Sequence, residues 1–336
     1  MEETVTLAYG SGGKLTHRLI GELFYRYFRN GTLLEGGDSA CFPVENGRAA
    51  FTTDSFVITP PFFKGGNIGK LAVCGTVNDL AVSGARPQYL SCGFILEEGL
   101  KFRDLEAIVK AMADTAAEAG VSIVTGDTKV VPKGCADRIF INTAGIGFVP
   151  EGVELSTKKI RSGDCVILSG PMGDHGTSIL LEREQLNIES EIQSDCAPLN
   201  VLIGPVLAEF SQAVRVMRDP TRGGVATTLN ELIAGTGLCI ELRENSLPVR
   251  EEVRGICEML GMDPLYMANE GKVLLIADAR EANRIVGRMR KNPYGAGAAV
   301  IGTVTEAYPD KVLLKTLAGG SRVIDMLTDD QLPRIC

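Results

Sequence analysis

Apolar and polar positions alternate along the chain in two patterns. Short apolar runs rich in β-branched residues end in Gly or Asp, and they predict strands over residues 49–58, 89–96, 121–124, 139–149, 165–169, 239–242, 273–277 and 299–304. Longer segments with apolar residues at helical spacing predict a helix that opens at 64–69 and others over 102–119, 175–186, 198–214, 224–235 and 280–290. Because strands and helices alternate throughout, we expect an α/β (α+β) fold.

A polar, turn-rich stretch interrupts this alternation at residues 150–163 (PEGVELSTKKIRSG). A chain of 336 residues is long enough for two domains. We therefore predict an N-terminal α/β domain over 1–150 and a C-terminal α+β domain over 151–328. The end of the chain, 329–336, has no periodicity and contains Pro333, so we expect a flexible tail that carries Cys336.

Composition narrows the class of protein. Apolar residues make up 45% of the chain and charged residues 23%, which excludes a disordered chain. A net charge of −8 argues against nucleic acid as a partner, since that surface needs surplus Lys and Arg. The chain shows neither an apolar run long enough for a membrane span nor a signal-peptide pattern at MEETVTLAYG. With an odd number of cysteines, nine, we expect a cytoplasmic protein and no membrane partner.

Eight of the cysteines lie among apolar or Gly-rich neighbours and are expected to be small core residues. The ninth, Cys336, is the last residue, where burial is least expected. A thiol at the end of a mobile peptide can reach more than one site, and Arg334 nearby favours the nucleophilic thiolate. Position alone leaves open that Cys336 is a chance terminal cysteine.

Aspartates adjoin Gly or polar turn residues near the ends of apolar runs. Carboxylates delivered by several elements beside Gly-rich turns are typical of a site for Mg²⁺ and a nucleotide. Each one taken alone is more readily explained by helix capping or turn formation, and only the joint set favours a ligand site. The set consists of Asp38, Asp54, Asp79, Asp127 and Asp219.

Glycine-rich segments near these aspartates could approach phosphate closely through backbone N–H groups. They are GSGGK at 10–14, Gly65-Gly66-Asn67 and Arg222-Gly223-Gly224. GSGGK matches neither the P-loop nor the dinucleotide-binding pattern, so it is weak by itself.

Two further residues are candidate proton acceptors or donors. Lys129 follows Asp127 by two positions and shares its face if the segment is extended. Glu270 in ANEGK precedes an apolar strand and is either a positioned base or a solvated loop residue. His17 and His175 lack metal-ligand spacing, and we expect surface or capping roles, with His175 at a helix start.

These residues together resemble the HypE family of hydrogenase maturation proteins, the carbamoyl dehydratases, over nearly the whole chain. The terminal PRIC and the GGNIGK block are the most specific motifs. The matching segments are GSGGK at 10–14, FTTDSFVI at 51–58, FFKGGNIGKLAVCGTVNDLAVSGA at 62–85, YLSCGFILEEGL at 89–100, VTGDTKVV at 124–131, INTAGIG at 141–147, GDHGTSIL at 173–180, RDPTRGGV at 218–225, ANEGK at 268–272 and PRIC at 333–336.

The resemblance implies a fold like that of aminoimidazole ribonucleotide synthetase and selenophosphate synthetase, with an N-terminal domain that binds ATP and pairs in a homodimer. It implies metal ligands and nucleotide contacts at matched positions, and it places a lysine and a glutamate near the tail cysteine to assist proton removal. The implied Mg²⁺ ligands are Asp38, Asp79 and Asp219; the implied ATP contacts are Lys14, Asp54, Asn67, Asp79, Gly126, Asp127 and Thr128; the implied catalytic residues are Cys336, Glu270 and Lys129.

The implied reaction has two stages. The carbamoyltransferase HypF places a carbamoyl group on Cys336, and ATP-dependent dehydration then gives a thiocyanate that supplies cyanide to the iron carried by HypC and HypD. Two alternatives remain: another ATP-dependent enzyme of the superfamily, such as a selenophosphate synthetase or a thiamine phosphate kinase, or a non-catalytic carrier. Neither alternative explains both PRIC and the aspartate set, and the Gly-rich lead-in lacks the cysteine usual in selenophosphate synthetases.

Overall fold

A computed structural model describes residues 3–10, 14–34, 47–184, 188–326 and 334–336 of the chain. The predicted ligand Asp38 and all but the last three residues of the predicted tail lie outside these ranges. Lys14 begins a helix, but its side chain also lies outside what the structure describes. Cys41 and the side chain of His17 are likewise outside it.

In the described part of the N-terminal half there are six strands and, besides a short 3-10 helix at Leu7–Gly10, four helical segments. The strands are β1 (Arg48–Phe56), β2 (Phe62–Phe63), β3 (Gly66–Asn67), β4 (Arg86–Glu97), β5 (Ser122–Val131) and β6 (Ile139–Val149). The helical segments are α1 (residues 14–27, with a π-helical turn at Ile20–Phe24), α2 (Gly31–Leu34), α3 (Ile68–Val82) and α4 (Phe102–Ala119). Strands β1, β6, β4 and β5 form a sheet in that order, antiparallel except for the parallel pair β4 and β5.

Helix α3 is the central element of this half, because it packs between the sheet and α4 and is buried over most of its length. Asn67 caps its N-terminus by accepting from the N–H groups of Gly69 and Lys70. At Gly75 the helix lies close to β1, where a Cβ atom would stand 2.8 Å from the Phe56 ring. The close approach brings the last turn of α3 beside β1.

Among its described residues, the C-terminal half contains seven further strands and five α-helices. The strands are β7 (Cys165–Leu168), β8 (Val214–Arg218), β9 (Cys239–Arg243), β10 (Leu274–Ala277), β11 (Ala299–Thr305), β12 (Lys311–Lys315) and β13 (Ser321–Ile324). The helices are α5 (Asp174–Glu184), α6 (Asn200–Phe210), α7 (Gly224–Ile233), α8 (Glu251–Leu260) and α9 (Ala282–Met289). The strands form one sheet in the order β13-β12-β9-β11-β7-β10-β8, in which only β12 and β9 pair in parallel.

Helices cover both faces of the seven-stranded sheet. One apolar cluster joins α6 and α9 to β7, β8 and β10, and another joins α7 to the opposite face of the same strands and to β9 and β12. The first cluster also contains Ala81 and Val82 from the end of α3. The end of α3 that carries Asp79 therefore packs against the C-terminal half.

The structure confirms the α/β (α+β) class and the predicted strands and helices, with several differences. The predicted helix over 198–214 ends at Phe210, and residues 214–218 are strand β8. The strand predicted over 121–124 continues to Val131, so Gly126, Asp127 and Thr128 lie inside strand β5. Helix α8 and the strands β12 and β13 were not predicted.

The expectation that all eight other cysteines belong to the core is wrong for two of them. Cys135 is exposed and Cys165 is partly exposed, whereas the remaining described ones are buried. Cys135 follows Gly134 in the loop between β5 and β6, where the chain turns away from the core. Among the helices in the described part of the chain, none has the length and apolar composition needed to cross a bilayer.

Candidate active site

Four carboxylates from separate elements meet where α3 contacts the C-terminal half. Asp54 lies on β1, Asp79 in the last turn of α3, and Asp219 follows β8. Glu270 belongs to the segment that leads into β10. Thr52 on β1 donates to Oδ2 of Asp79 over 2.9 Å. The sheet, the helix and the C-terminal half thus each deliver acid groups to one place.

The four carboxyl groups share raised pKa values, and burial is the largest cause in each case. Burial together with the charge of Asp79 raises the pKa of Asp219 to about 7. Arg218 and Arg222 act in the opposite direction, yet none of the ion pairs within the described ranges includes any of the four carboxylates. The surroundings therefore do not compensate the charge that these carboxyl groups carry when ionised, and the raised pKa values favour their protonated forms.

Glu270 is buried, with 3% of its surface exposed, and its Oε1 has no hydrogen-bond partner in the part of the chain that the structure describes. Burial first, then Cys196 and Asp219, raise its pKa well above the usual value. The alternative of a solvated loop residue is therefore wrong. A buried carboxyl oxygen without a partner costs free energy unless a ligand supplies a donor.

The backbone around Glu270 is fixed by a buried ion pair. Asp195 accepts from the N–H groups of Glu270 (3.1 Å) and Gly271 (3.3 Å), and from Nζ of Lys272 (2.9 Å). Burial would raise the pKa of Asp195, but Lys272 outweighs it and the pKa is lowered. A Cβ on Gly271 would stand 1.7 Å from the Asp195 carbonyl oxygen, so only glycine fits there.

No local sequence pattern indicates Asp195 or Lys272 as positioning residues. Asp195 lies in the irregular segment 188–199, and the pair joins positions 77 residues apart. Asn78 completes the support from α3, because its amide donates to the carbonyl oxygens of Ala197 (3.1 Å) and Glu270 (3.4 Å). Glu270 is thus held from both halves of the chain.

The predicted magnesium ligands fit a divalent cation in chemistry. The charge of Asp79 raises the pKa of Asp219, so a cation bound between them would relieve this repulsion, and carboxylate oxygens are the ligands that Mg²⁺ prefers. The third predicted ligand, Asp38, lies outside the described residues. Within the described ranges, no group of three His, Cys, Asp or Glu residues is arranged to hold a metal ion.

The residues predicted to contact ATP on β5 lie at the opposite edge of the four-stranded sheet from Asp54 on β1. Lys129 forms an exposed ion pair with Oδ1 of Asp127 at 2.7 Å, as the extended segment predicted. A hydrogen bond from Lys129, the largest cause, lowers the pKa of Asp127. Gly126, Asp127 and Thr128 line a cavity of about 250 Å³ together with residues of α1 and α2.

Other predicted contacts have structural roles in this chain. Oδ1 of Asn67 is occupied by the helix cap of α3. A Cβ on Gly65 would stand 2.7 Å from the Ser194 carbonyl oxygen, and one on Gly224 would stand 2.6 Å from that of Met267. Close packing therefore accounts for these two glycines without a phosphate.

The described end of the chain, residues 334–336, is docked on the body of the protein. Ile335 is 2% exposed within the N-terminal apolar cluster, which also contains Cys196 and Ala268, and Cys336 packs against that cluster. The carboxylate of Cys336 also accepts from the N–H of Val57 over 3.0 Å. A peptide as mobile as the sequence predicts must release these contacts when it leaves. Cys196, which raises the pKa of Glu270, thus belongs to the same apolar cluster as the docked end of the chain.

His175 takes part in this docking, and the expectation of a surface histidine is wrong. It begins α5, as predicted, but is fully buried, with Nε2 2.9 Å from the carbonyl oxygen of Ile335. Burial, the largest cause, lowers the pKa of His175, so the imidazole is neutral near pH 7. Its partner lies 160 residues away, a contact that local patterns do not reveal.

Family models match both halves of the chain. The model of the AIR synthase related protein, N-terminal domain, matches residues 36–149, and that of the AIR synthase related protein, C-terminal domain, matches residues 161–315. A thiamine-monophosphate kinase from Stenotrophomonas maltophilia has the same fold, with a TM-score of 0.67 at 19% identity over 88% of this chain and 95% of its own. The fold and site thus define a member of the AIR synthase related class.

Curated relatives identify the family within the AIR synthase related class. The chain is 51% identical to carbamoyl dehydratase HypE of Azotobacter vinelandii over 99% of this chain and 97% of that protein. It is 48% identical to that of Escherichia coli over 99% of each. A crystal structure of hydrogenase maturation protein HypE in complex with ATP superposes with a TM-score of 0.95 at 48% identity, covering 99% of this chain and 100% of that one. This chain belongs to the HypE family of carbamoyl dehydratases, which act in hydrogenase maturation.

Proposed function

We propose that this protein uses ATP to dehydrate a carbamoyl group carried on Cys336 to a thiocyanate, the source of the cyanide ligand of [NiFe] hydrogenase. The observation that carries the proposal is Glu270, a buried carboxyl with an unpartnered oxygen beside the cluster into which the end of the chain docks. Such a group can accept a proton from a substrate nitrogen delivered by the tail.

ATP is the second substrate, as the ATP complex of a HypE protein with 48% identity supports. We assign its binding to Lys14, Asp54, Asn67, Asp79 and the segment 126–128, with Asp38, Asp79 and Asp219 as ligands of Mg²⁺. When bound there, Mg²⁺ supplies positive charge that offsets the repulsion between these carboxylates and the phosphates. The raised pKa values of Asp79 and Asp219 are what a pair prepared for a cation would have.

The chemistry balances in two steps. The amide oxygen of the S-carbamoyl group attacks the γ-phosphate of ATP, releasing ADP, and one nitrogen proton is lost. The carbon–oxygen bond then breaks and phosphate leaves, while the second nitrogen proton is removed and the C≡N bond forms. The raised pKa of Glu270 makes its ionised form a strong base, which accepts one of these protons, and Lys129 is the second candidate for proton transfer. Exclusion of water by the buried setting of Glu270 limits hydrolysis of the activated intermediate.

We propose three protein partners and a cytoplasmic location. HypF loads the carbamoyl group, a role supported by the complex of a HypE protein with HypF that superposes with a TM-score of 0.81 at 46% identity. The HypC–HypD complex receives the cyanide. A second copy of the chain pairs through the four-stranded sheet of the N-terminal half. On this sheet Phe51 of β1 and Ile95 of β4 are 70% and 43% exposed.

The test follows the mass of the C-terminal peptide. The protein is incubated with HypF and its carbamoyl donor, with and without ATP added after loading. We expect a carbamoyl adduct on Cys336 that loses one water only when ATP is added. An unmodified Cys336 would overturn the proposal, and loss of water without ATP would overturn the dehydratase mechanism.

Two variants separate binding from chemistry. Cys336→Ala should bind ATP as the native chain does but carry no adduct. Asp79→Asn should accept the carbamoyl group at the native rate and fail to dehydrate it, because the carboxylate assigned to the cation is lost. An equal loss of both steps would mean that Asp79 is structural.

A further inference from the structure

A cavity of about 740 Å³ lies where the two halves of the chain meet, and no step of the proposed reaction uses it. The N-terminal half contributes Gly65 and Lys70, and the C-terminal half contributes the starts of α5 and α8 and the loop that follows α9. Asp195 and Lys272 also line the cavity, whereas none of the four carboxylates of the candidate active site does. The cavity therefore has the size of a small-molecule site and is distinct from the candidate active site.

Asp174, the first residue of α5, contributes an unsatisfied polar atom to the lining of this cavity. It is 3% exposed, and its Oδ2 accepts from Nε of Arg250 over 3.0 Å. Its Oδ1 has no hydrogen-bond partner in the part of the chain that the structure describes. Because a buried carboxylate oxygen has lost the hydrogen bonds of water, a ligand that brings an N–H donor to Oδ1 would be stabilised.

The charges around Asp174 favour a cationic donor over a neutral one. Burial first and then the charge of Asp195 raise the pKa of Asp174, while Lys272 and Arg250 act in the opposite direction. Lys272 pairs with Asp195 at 2.9 Å, and the side chain of Arg250 is 57% exposed, so that solvent screens its charge. When Asp174 is ionised, the two buried acids have one buried cation, Lys272, among the described residues that line the cavity. An ammonium group on a ligand would supply the second.

The more exposed part of the lining carries charges of both signs that the chain does not pair. Lys70 donates to the Gly65 carbonyl oxygen over 3.1 Å and forms no ion pair within the described ranges. Glu191 and Glu252 are exposed and are likewise without an ion pair among the residues that the structure describes. A ligand held at Asp174 can therefore place either an acidic group on Lys70 or a second cationic group on the two glutamates.

We propose that this cavity, which we call the junction cavity, binds a small molecule through a primary ammonium group that donates to Oδ1 of Asp174. The ligand is either an amino acid, whose carboxylate pairs with Lys70, or a diamine, whose second ammonium pairs with Glu191 and Glu252. Both halves of the chain line the junction cavity, so an occupied cavity joins them beside the segment 188–199 that supports Glu270. The site does not depend on the proposed reaction.

The experiment is isothermal titration calorimetry of the full-length protein at neutral pH with three four-carbon probes. These are γ-aminobutyrate, putrescine and butyrate, which lacks an ammonium group. We expect an amine to bind and butyrate not to bind. Tighter binding of γ-aminobutyrate identifies an amino acid as the ligand class, and tighter binding of putrescine identifies a diamine. Failure of both amines to bind, or equal binding of butyrate, would overturn the proposal.

Three variants locate the bound amine. Asp174→Asn keeps the size of the side chain but removes its charge, and we expect the Kd of the amine to rise by about 10-fold or more. Arg250→Gln removes the cation that competes for Asp174, so the same amine should bind about 3-fold more tightly. The control Asp114→Asn removes an exposed carboxylate of α4 that pairs with Lys110 outside the cavity, and its affinity should match that of the native chain.

Opposite changes in Asp174→Asn and Arg250→Gln cannot arise from general destabilisation. Should Asp174→Asn fail to fold, Arg250→Gln still decides, because its replaced side chain is largely exposed. Native affinity in the folded variants would place the amine elsewhere and overturn the junction cavity as its site. Competition between the amine and ATP would do the same, since the described residues assigned to ATP do not line the cavity.

Discussion

Two groups of carboxylates in this chain differ in whether the protein provides a cation that pairs with them. Around Arg215 on β8, the guanidinium contacts Asp164 (3.2 Å) and Asp278 (3.2 Å), and hydrogen bonds from Arg280 and then the Arg215 charge lower the pKa of Asp278. At the candidate active site, by contrast, the four carboxyl groups have raised pKa values.

The difference separates structural from functional charge. A carboxylate that stabilises the fold is given a cation of the chain itself, as Asp164 is given Arg215. Buried carboxyl groups without a pairing cation cost stability. They are retained in a protein where a ligand or a reaction needs them. Absence of a protein counterion thus marks the functional group more clearly than burial does.

The largest expected effect is on the reaction, from Glu270→Gln. The amide keeps the size of the side chain but accepts no proton, so dehydration should fall by roughly 100-fold or more, while carbamoylation proceeds at the native rate. Intact-mass kinetics of the loaded protein measure both. Lys129→Met is the matched comparison, and dehydration within about 3-fold of native in Glu270→Gln would exclude Glu270 as the base.

The next effect is on stability, from Arg215→Met in the paired group. Removal of the guanidinium leaves Asp164, which is 4% exposed, without its counterion, and we expect a loss of about 3–5 kcal/mol in the free energy of unfolding. Urea unfolding at pH 7 measures it, and dehydration at 25 °C by the protein that remains folded should be unchanged. Arg280→Ala, which removes an exposed arm of the group, should lose much less. Equal losses of unfolding free energy in the two variants would contradict the expectation that the buried Arg215 stabilises the fold more than the exposed Arg280.

The smallest expected effect is a pH dependence of the free energy of unfolding, which we expect to fall as the pH rises. Burial raises the pKa of Asp219 to about 7, so the folded chain holds this proton more tightly than the unfolded chain does. Its contribution to stability is therefore full below about pH 4 and is lost as pH rises through 7. Without nucleotide or metal, we expect the native chain to lose about 2 kcal/mol from this group between pH 5 and pH 8.

Asp219→Asn removes this titration. The variant should be more stable than the native chain at pH 8 and should show a shallower slope, with the remainder due to Glu270, Asp79 and Asp54. Urea unfolding at several pH values in the presence of EDTA provides the measurement. Identical slopes in the two proteins would mean that Asp219 is ionised in the folded chain at neutral pH.

Local patterns predicted the alternating fold because each strand or helix depends mainly on its own apolar spacing. They failed where two elements follow each other without a break, as at α6 and β8, where Val214–Arg218 continues an apolar segment. They failed again for the short strands β12 and β13, whose sequences mix charged and apolar residues at the end of the sheet.

Candidate acids were predicted from their Gly-rich and turn-like neighbours, and the structure brings Asp54, Asp79 and Asp219 together with Glu270. What holds Glu270 and the end of the chain was not predictable in the same way. Asp195 meets Lys272, and His175 meets Ile335, through contacts between distant segments. Such pairs have no local pattern, because neither partner is near the other until the chain has folded.

The hydrogen bond between Val57 and the last carboxylate has a practical consequence. A purification tag or fusion partner at the carboxyl end would turn that carboxylate into a peptide carbonyl and place further residues where the chain now stops. We expect such an extension to weaken the docking of Cys336, which packs against the N-terminal apolar cluster. Tags for this protein therefore belong at the amino end.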